Sequence, residues 1–168
     1  MGVLFNMAEV FTMAVQMETN GAAFYRRAAA LRKDGDQTDY LLRLGEMEED
    51  HKRTFEQMRD SASVAGQSGS PFDLYDEGEL YLAGIAGGHR VEGSAAAAEA
   101  LTGDESVSDV LKLAVELEKE AILFYVGLTD LVPAEMGRDQ IDRIIEEEKK
   151  HIVILTRELR KVDKSEPS

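Results

Sequence analysis

The sequence predicts an all-α protein, an antiparallel four-helix bundle made of two helical hairpins joined by a long crossover. Three observations carry this. Ala, Leu, Glu, Lys and Arg are plentiful and only three prolines occur in 168 residues, a mixture that favours long helices over sheet. Apolar residues recur at helical spacing along four long stretches. Two pairs of segments repeat at an offset of 100 without a gap.

In the first pair, Ala14 to Tyr25 reads AVQMETNGAAFY and Ala114 to Tyr125 reads AVELEKEAILFY. They share Ala14/Ala114, Val15/Val115, Glu18/Glu118, Phe24/Phe124 and Tyr25/Tyr125. In the second pair, Arg43 to His51 reads RLGEMEEDH and Arg143 to His151 reads RIIEEEKKH, sharing Arg43/Arg143, Glu46/Glu146, Glu48/Glu148 and His51/His151. One offset for both pairs means two related hairpins with loops of equal length.

The first helix is read from about Leu4 to Arg32 and is broken by Asp34-Gly35-Asp36. The second runs from about Gln37 to Ala62. The third runs from about Ser106 to Leu131, with Asp104 as its expected cap and the Val132-Pro133 step as its end. The fourth runs from about Ala134 to Val162, and the polar tail Asp163 to Ser168 is expected to fray. The chain thus reads as a single domain, 1–168: hairpin 1 over about 4–62, a crossover over about 63–105, and hairpin 2 over about 106–162.

The crossover opens with a Gly/Ser/Pro-rich stretch. It has helical potential over Asp76 to Ala86, a Gly87-Gly88 break, and a second helical stretch from Ser94 to Leu101. Its length has a geometric use. If the hairpins pack with a two-fold relation, the third helix starts at the far end from where the second stops. A helix of about 28 residues spans roughly 42 Å. About 13 extended residues cover that distance, so the crossover has room to spare.

Acidic residues number 33 against 19 basic ones, a formal charge of −14. That sign repels nucleic-acid phosphates and anionic membrane surfaces and suits cation binding. There is no cysteine, which excludes disulfides, thiolate metal sites, cysteine nucleophiles and an iron–sulfur module within this chain. Met1 to Val15 is apolar but carries Glu9 and lacks a basic leader, so it does not read as a signal peptide. Asn6 stands where a myristoylation signal needs Ser or Thr. No run of about 18 apolar residues is present. The expectation is a soluble cytoplasmic protein with no nucleic-acid or membrane partner.

Ligand-type residues interrupt the apolar stripes. In the second helix Leu41, Leu44, Glu48, His51, Phe55 and Met58 are spaced 3, 4, 3, 4, 3, the core-facing seam of a bundle helix. Ile141, Ile144, Glu148, His151 and Leu155 repeat the pattern in the fourth. Phe11, Ala14, Glu18, Gly21 and Tyr25 share a stripe in the first, and Leu111, Ala114, Glu118, Ala121 and Tyr125 share one in the third. Four carboxylates and two imidazoles would therefore meet at one level of the core. Without cations, burying them costs several kcal/mol per charge and sets like charges against one another. Two divalent ions balance four carboxylates, and carboxylate plus imidazole ligation suits iron or manganese, iron most naturally.

One Glu from each of two helices and Glu-x-x-His from each of the others is the ligand pattern of di-iron carboxylate bundles. On these residues, with EMEEDH and EEEKKH the most specific pieces, the chain resembles the ferritin-like superfamily, most closely the rubrerythrin family, over all four long helices. The resemblance implies Glu18 and Glu118 as single-Glu ligands, Glu48 and Glu148 as bridges, and His51 and His151 as caps. It implies two iron ions, with manganese or zinc as substitutes, that react with dioxygen or hydrogen peroxide. An external electron-donor protein would supply reduction between turnovers. Two departures stand out. Peroxide-reducing rubrerythrins carry a further Glu where this chain has Ala121 (its counterpart is Gly21), and usually a cysteine-rich rubredoxin domain.

The plain reading of one Glu-x-x-His is a surface pair; two at the same offset, each on an apolar stripe with a matching Glu helix, point to a metal site. Tyr25 and Tyr125 read either as core tyrosines whose hydroxyls need partners or as donors beside the metal ligands. His89 reads as an exposed turn residue, Glu49, Asp50, Glu146 and Glu147 as solvated faces, and the seven methionines as core filler. Three roles follow: an oxidoreductase, an iron-storage or iron-delivery protein with ferroxidase activity only, and a structural bundle with a vestigial site. Only a few polar residues follow the fourth helix, which argues against a closed ferritin cage. A homodimer is expected, with exchange of hairpins between chains as one arrangement.

Overall fold

The computed structural model describes residues 7–65, 93–129, 132 and 138–165. They form α1 (Met7–Ala30), α2 (Gly35–Ala65), the short α3 (Gly93–Ala100), α4 (Val107–Thr129) and α5 (Arg138–Ser165), with no strand among the described residues. The expected helix over Asp76 to Ala86, the start at Leu4 and the turn at His89 lie outside the described residues.

Local chemistry moves several helix ends from their expected places. The Asp34 carboxylate accepts from the backbone N–H groups of Asp36 (2.8 Å) and Gln37 (3.2 Å). Asp34 is therefore the N-cap, and α2 starts at Gly35 rather than Gln37. At α4 the cap is Ser106, not Asp104. Ser106 Oγ accepts from the Asp109 N–H (3.1 Å), while Asp109 Oδ2 accepts from the Ser106 N–H (3.1 Å) and hydroxyl (2.8 Å), a reciprocal capping box.

Asp104 lies instead in a turn organised by Glu105. That carboxylate accepts from the N–H groups of Thr102 (3.0 Å) and Gly103 (2.9 Å) and from the Thr102 hydroxyl (3.0 Å). These bonds hold the Glu105 carboxyl down at about 2. Gly103 adopts φ 97°, which a side chain would strain. The fourth long helix does not fray at Asp163 but continues to Ser165. There the Ser108 hydroxyl donates to Asp163 Oδ1 at 2.8 Å, tying the last turns of α5 to the start of α4.

The core divides into two apolar clusters. One holds Val10, Phe11 and Ala14 of α1, Phe55 of α2, Phe124, Tyr125 and Leu128 of α4, and Ile141 and Ile144 of α5. The other holds Phe24, Tyr25 and Ala28 of α1, Leu41 and Leu44 of α2, Val110, Leu111 and Ala114 of α4, and Leu155 of α5, with Leu101 beside them. Each fully buried Leu, Ile or Phe contributes about 1.5–3 kcal/mol relative to exposure.

The order of these residues along each helix fixes direction. α1 and α5 run from the first cluster to the second; α2 and α4 run from the second to the first. α2 therefore finishes at the end of the bundle where α4 also finishes, far from where α4 starts. α3 packs its Ala97 and Ala98 on the second cluster, against α1. Between the two clusters, every long helix presents a polar residue to the interior.

Candidate metal centre

That polar layer contains all six residues singled out from the sequence. Glu18, Glu48, Glu148 and His151 are buried, and the side chains of His51 (21% exposed) and Glu118 (13%) lie at the edge of solvent. Ligand-type atoms of Glu18, Glu48, His51 and His151 lie within 4.8 Å of one another, as do those of Glu118, Glu148 and His151. His151 belongs to both groups. Its Nδ1 is 3.1 Å from Glu148 Oε2, 3.4 Å from Glu118 Oε1 and 4.0 Å from Glu48 Oε2. His51 Nδ1 is 3.6 Å from Glu48 Oε2.

The imidazoles touch through their other nitrogens: His151 Nε2 and His51 Nε2 are 3.0 Å apart, with the rings stacked at 3.6 Å between centroids. That contact leaves each Nδ1 turned toward the carboxylates. Both Nδ1 atoms and Glu48 Oε1 are buried and lack a hydrogen-bond partner. Orphaned buried polar atoms are costly, about 1–3 kcal/mol each, and three at one level of a core signal a missing partner. Two ligand atoms about 2.1 Å from a common ion stand roughly 3.0–3.5 Å apart, the range of the shortest Nδ1–carboxylate separations here. The donor set fits divalent cations.

The electrostatics agree. Burial, then the carboxylates of Glu148 and Glu48, push the Glu18 carboxyl well above its ordinary value. Burial and Glu148 do the same to Glu118, against the opposing pull of His151. For Glu48, burial pushes upward but is outweighed by the neighbouring His51, Glu18 and His151, and the carboxyl is held low. His151 is driven down by burial yet raised overall to about 11 by Glu118 and Glu148. Without cations, protons take up part of the charge in this layer.

A cavity of about 50 Å³ adjoins the carboxylate side. Glu18, Glu48, Glu118 and Glu148 line it, with Gly21 and Ala121 forming part of its wall, and the two histidines stand outside it. Both wall residues are small. A Cβ on Gly21 would already lie 3.5 Å from Glu48 Cγ. The volume suits a molecule of about two or three heavy atoms.

The flanking acids are engaged elsewhere: Glu49 with Arg26 at 2.8 Å, Asp50 with Arg53, Glu146 with Lys149 at 2.6 Å and Glu147 with Lys150 at 2.7 Å. The tyrosines differ from one another. Tyr125 donates its hydroxyl to Met17 Sδ at 3.3 Å, whereas the buried Tyr25 hydroxyl has no partner. The sequence reading missed the cavity, the stacked imidazoles and the role of Met17. The signal for the last was the Met17/Leu117 mismatch in the repeat.

No protein-family model and no curated protein matches the chain. One solved structure does: a Thermotoga maritima protein described as a candidate ferritin-like diiron-carboxylate protein. It is 20% identical, covers 96% of this chain and 99% of its own, and superposes with a TM-score of 0.55. No helix among the described residues is long and apolar enough to cross a membrane. The helix order and this superposition together make the fold that of the ferritin-like helical bundles.

Proposed function

We propose that this protein is a di-iron carboxylate oxidoreductase that uses ferrous iron to reduce dioxygen or hydrogen peroxide. The observation that carries the reading is the convergence of four Glu and two His in one buried layer, with both Nδ1 atoms unpartnered and turned toward carboxylates. The likeness to a protein described as a candidate diiron-carboxylate protein supports it.

In this reading Glu18, Glu48 and His51 would hold one metal and Glu118, Glu148 and His151 the other, with Glu48 and Glu148 as the shared carboxylates. When bound, the metal pair supplies the electrons and the Lewis acidity for the reduction. The chain does the rest. The His51–His151 contact fixes both rings so that Nδ1 faces inward. The two apolar clusters flank the layer on both sides and pack the four helices together. The small cavity admits an oxidant on the carboxylate side while excluding larger substrates. An external donor protein would return the electrons.

Ala121 and Gly21 leave the six-ligand set without the further Glu of peroxide-reducing rubrerythrins. We therefore place the chain nearer the plain ferritin-like oxidases and ferroxidases. The test is to load the metal-free protein anaerobically with ferrous iron and add one equivalent of peroxide or dioxygen. Oxidant consumption with iron retained through repeated turnovers is expected. Release of iron or growth of a mineral after a single oxidation would replace this reading with storage or delivery.

A further inference from the structure

The two hairpins repeat at the level of the ligands but not at the level of the tyrosines. Tyr25 and Tyr125 are equivalent in the repeat, and both are fully buried. Tyr125 satisfies its hydroxyl on Met17 Sδ. The repeat-equivalent of Met17 is Leu117, which has no acceptor. Tyr25 is consequently left with a buried, unpartnered hydroxyl. Tyr25 also lines the cavity with the four carboxylates, and Tyr125 does not. A neutral donor kept unsatisfied inside a pocket of acceptor-only groups is held against a penalty, and it gives the pocket an O–H that the carboxylates lack.

We propose that Tyr25 is the hydrogen-bond donor for a small anionic or oxygen-derived ligand seated in the carboxylate-side cavity, so that the near-symmetric centre binds exogenous ligands from one side only. The inference rests on the two-metal reading above. Leu117 is the specificity element, because its apolar side chain keeps the Tyr25 hydroxyl free. Burial and the neighbouring carboxylates Glu48 and Glu118 push the hydroxyl pKa far up, so it stays protonated and able to donate.

The test uses azide as the probe and four proteins: wild type, Tyr25→Phe, Tyr125→Phe and Leu117→Met. Each is loaded with iron and oxidised, its iron content is measured, and azide is titrated by its charge-transfer absorption. Losing one charge-assisted hydrogen bond weakens binding by about tenfold. Tyr25→Phe should show that loss. Leu117→Met, a volume-conserving change, should show a comparable loss because its sulfur can capture the hydroxyl. Tyr125→Phe should bind azide like the wild type. Two irons in each protein with equal azide affinity for wild type and Tyr25→Phe would overturn the role of Tyr25 and leave the metal reading intact. Fewer than one iron per wild-type chain would overturn the metal reading and this inference with it.

A metal-independent arm uses the metal-free proteins. Tyr25→Phe removes an unsatisfied hydroxyl and should melt at or above the wild-type temperature, whereas Tyr125→Phe loses an O–H···S bond and should melt below it. Equal losses in both would show that Tyr25 already has a partner and would overturn the inference.

Discussion

Replacing Glu18 by Gln should stabilise the metal-free protein and weaken its stabilisation by metal. The ligand-type oxygens of Glu18 and Glu48 lie within 4.8 Å of one another. Two unit charges at that limit repel by about 3.5 kcal/mol at an effective dielectric of 20. The Glu18 carboxyl is already pushed toward its protonated form by burial and by Glu148 and Glu48. The gain from removing its charge is therefore smaller, about 1–3 kcal/mol. For a chain of this size each kcal/mol moves the melting temperature by about 2–4 °C, so the metal-free variant should melt roughly 2–12 °C above wild type.

With metal that advantage shrinks or reverses. At a free metal concentration of about a thousand times Kd, binding stabilises the wild type by about 4 kcal/mol. A hundredfold loss of affinity leaves roughly 1.4 kcal/mol. Differential scanning calorimetry with a chelator, then with ferrous iron under anaerobic conditions, reads both effects. A metal-free variant that melts below wild type would refute the claim that the carboxylate layer is strained without cations. An unchanged metal-induced shift would remove Glu18 from the ligand set.

His151 reaches both carboxylate groups and His51 only one. Metal titration should therefore show that His51→Ala keeps about one tightly bound ion and that His151→Ala weakens both. The raised carboxyls of Glu18 and Glu118 make the folded chain bind more protons than the unfolded one above 4.5. Their effect is a loss of stability as pH rises. His151, raised from 6.5 to about 11, stabilises fully below 6.5 and loses that contribution as pH climbs toward about 11. Metal-free melting temperature should accordingly fall between about pH 5 and pH 9, and metal-loaded protein should show a flatter profile. The same protons must leave when metal binds, so calorimetric titration at neutral pH in two buffers of different ionisation enthalpy should report net proton release. Leu155 is fully buried; Leu155→Ala should lower stability by about 2–5 kcal/mol without changing the number of metals bound below the transition.

Much of this was legible because the repeat carries both fold and site. Apolar spacing placed Leu41, Leu44, Phe55, Ile141, Ile144 and Leu155 in the core, and the same spacing put Glu48, His51, Glu148 and His151 on the buried face. What stayed hidden depends on relations across helices. The Ser106–Asp109 box displaced the expected cap at Asp104 because Glu105 recruits the preceding turn for its own hydrogen bonds. The Ser108–Asp163 bond holds a tail that looked frayed by composition. The cavity has small residues, Gly21 and Ala121, in its wall, and its meaning depends on which carboxylates face them. The difference between Tyr25 and Tyr125 rests on Met17, which belongs to the opposite hairpin from the tyrosine it satisfies.

The central claim is that six residues hold two metals, and an anaerobic titration of metal-free protein with ferrous iron tests it most directly. The account predicts an endpoint of two ions per wild-type chain and a lower one for Glu118→Ala. A wild-type chain that binds less than one ion, or a Glu118→Ala protein that still binds two with wild-type affinity, would contradict it.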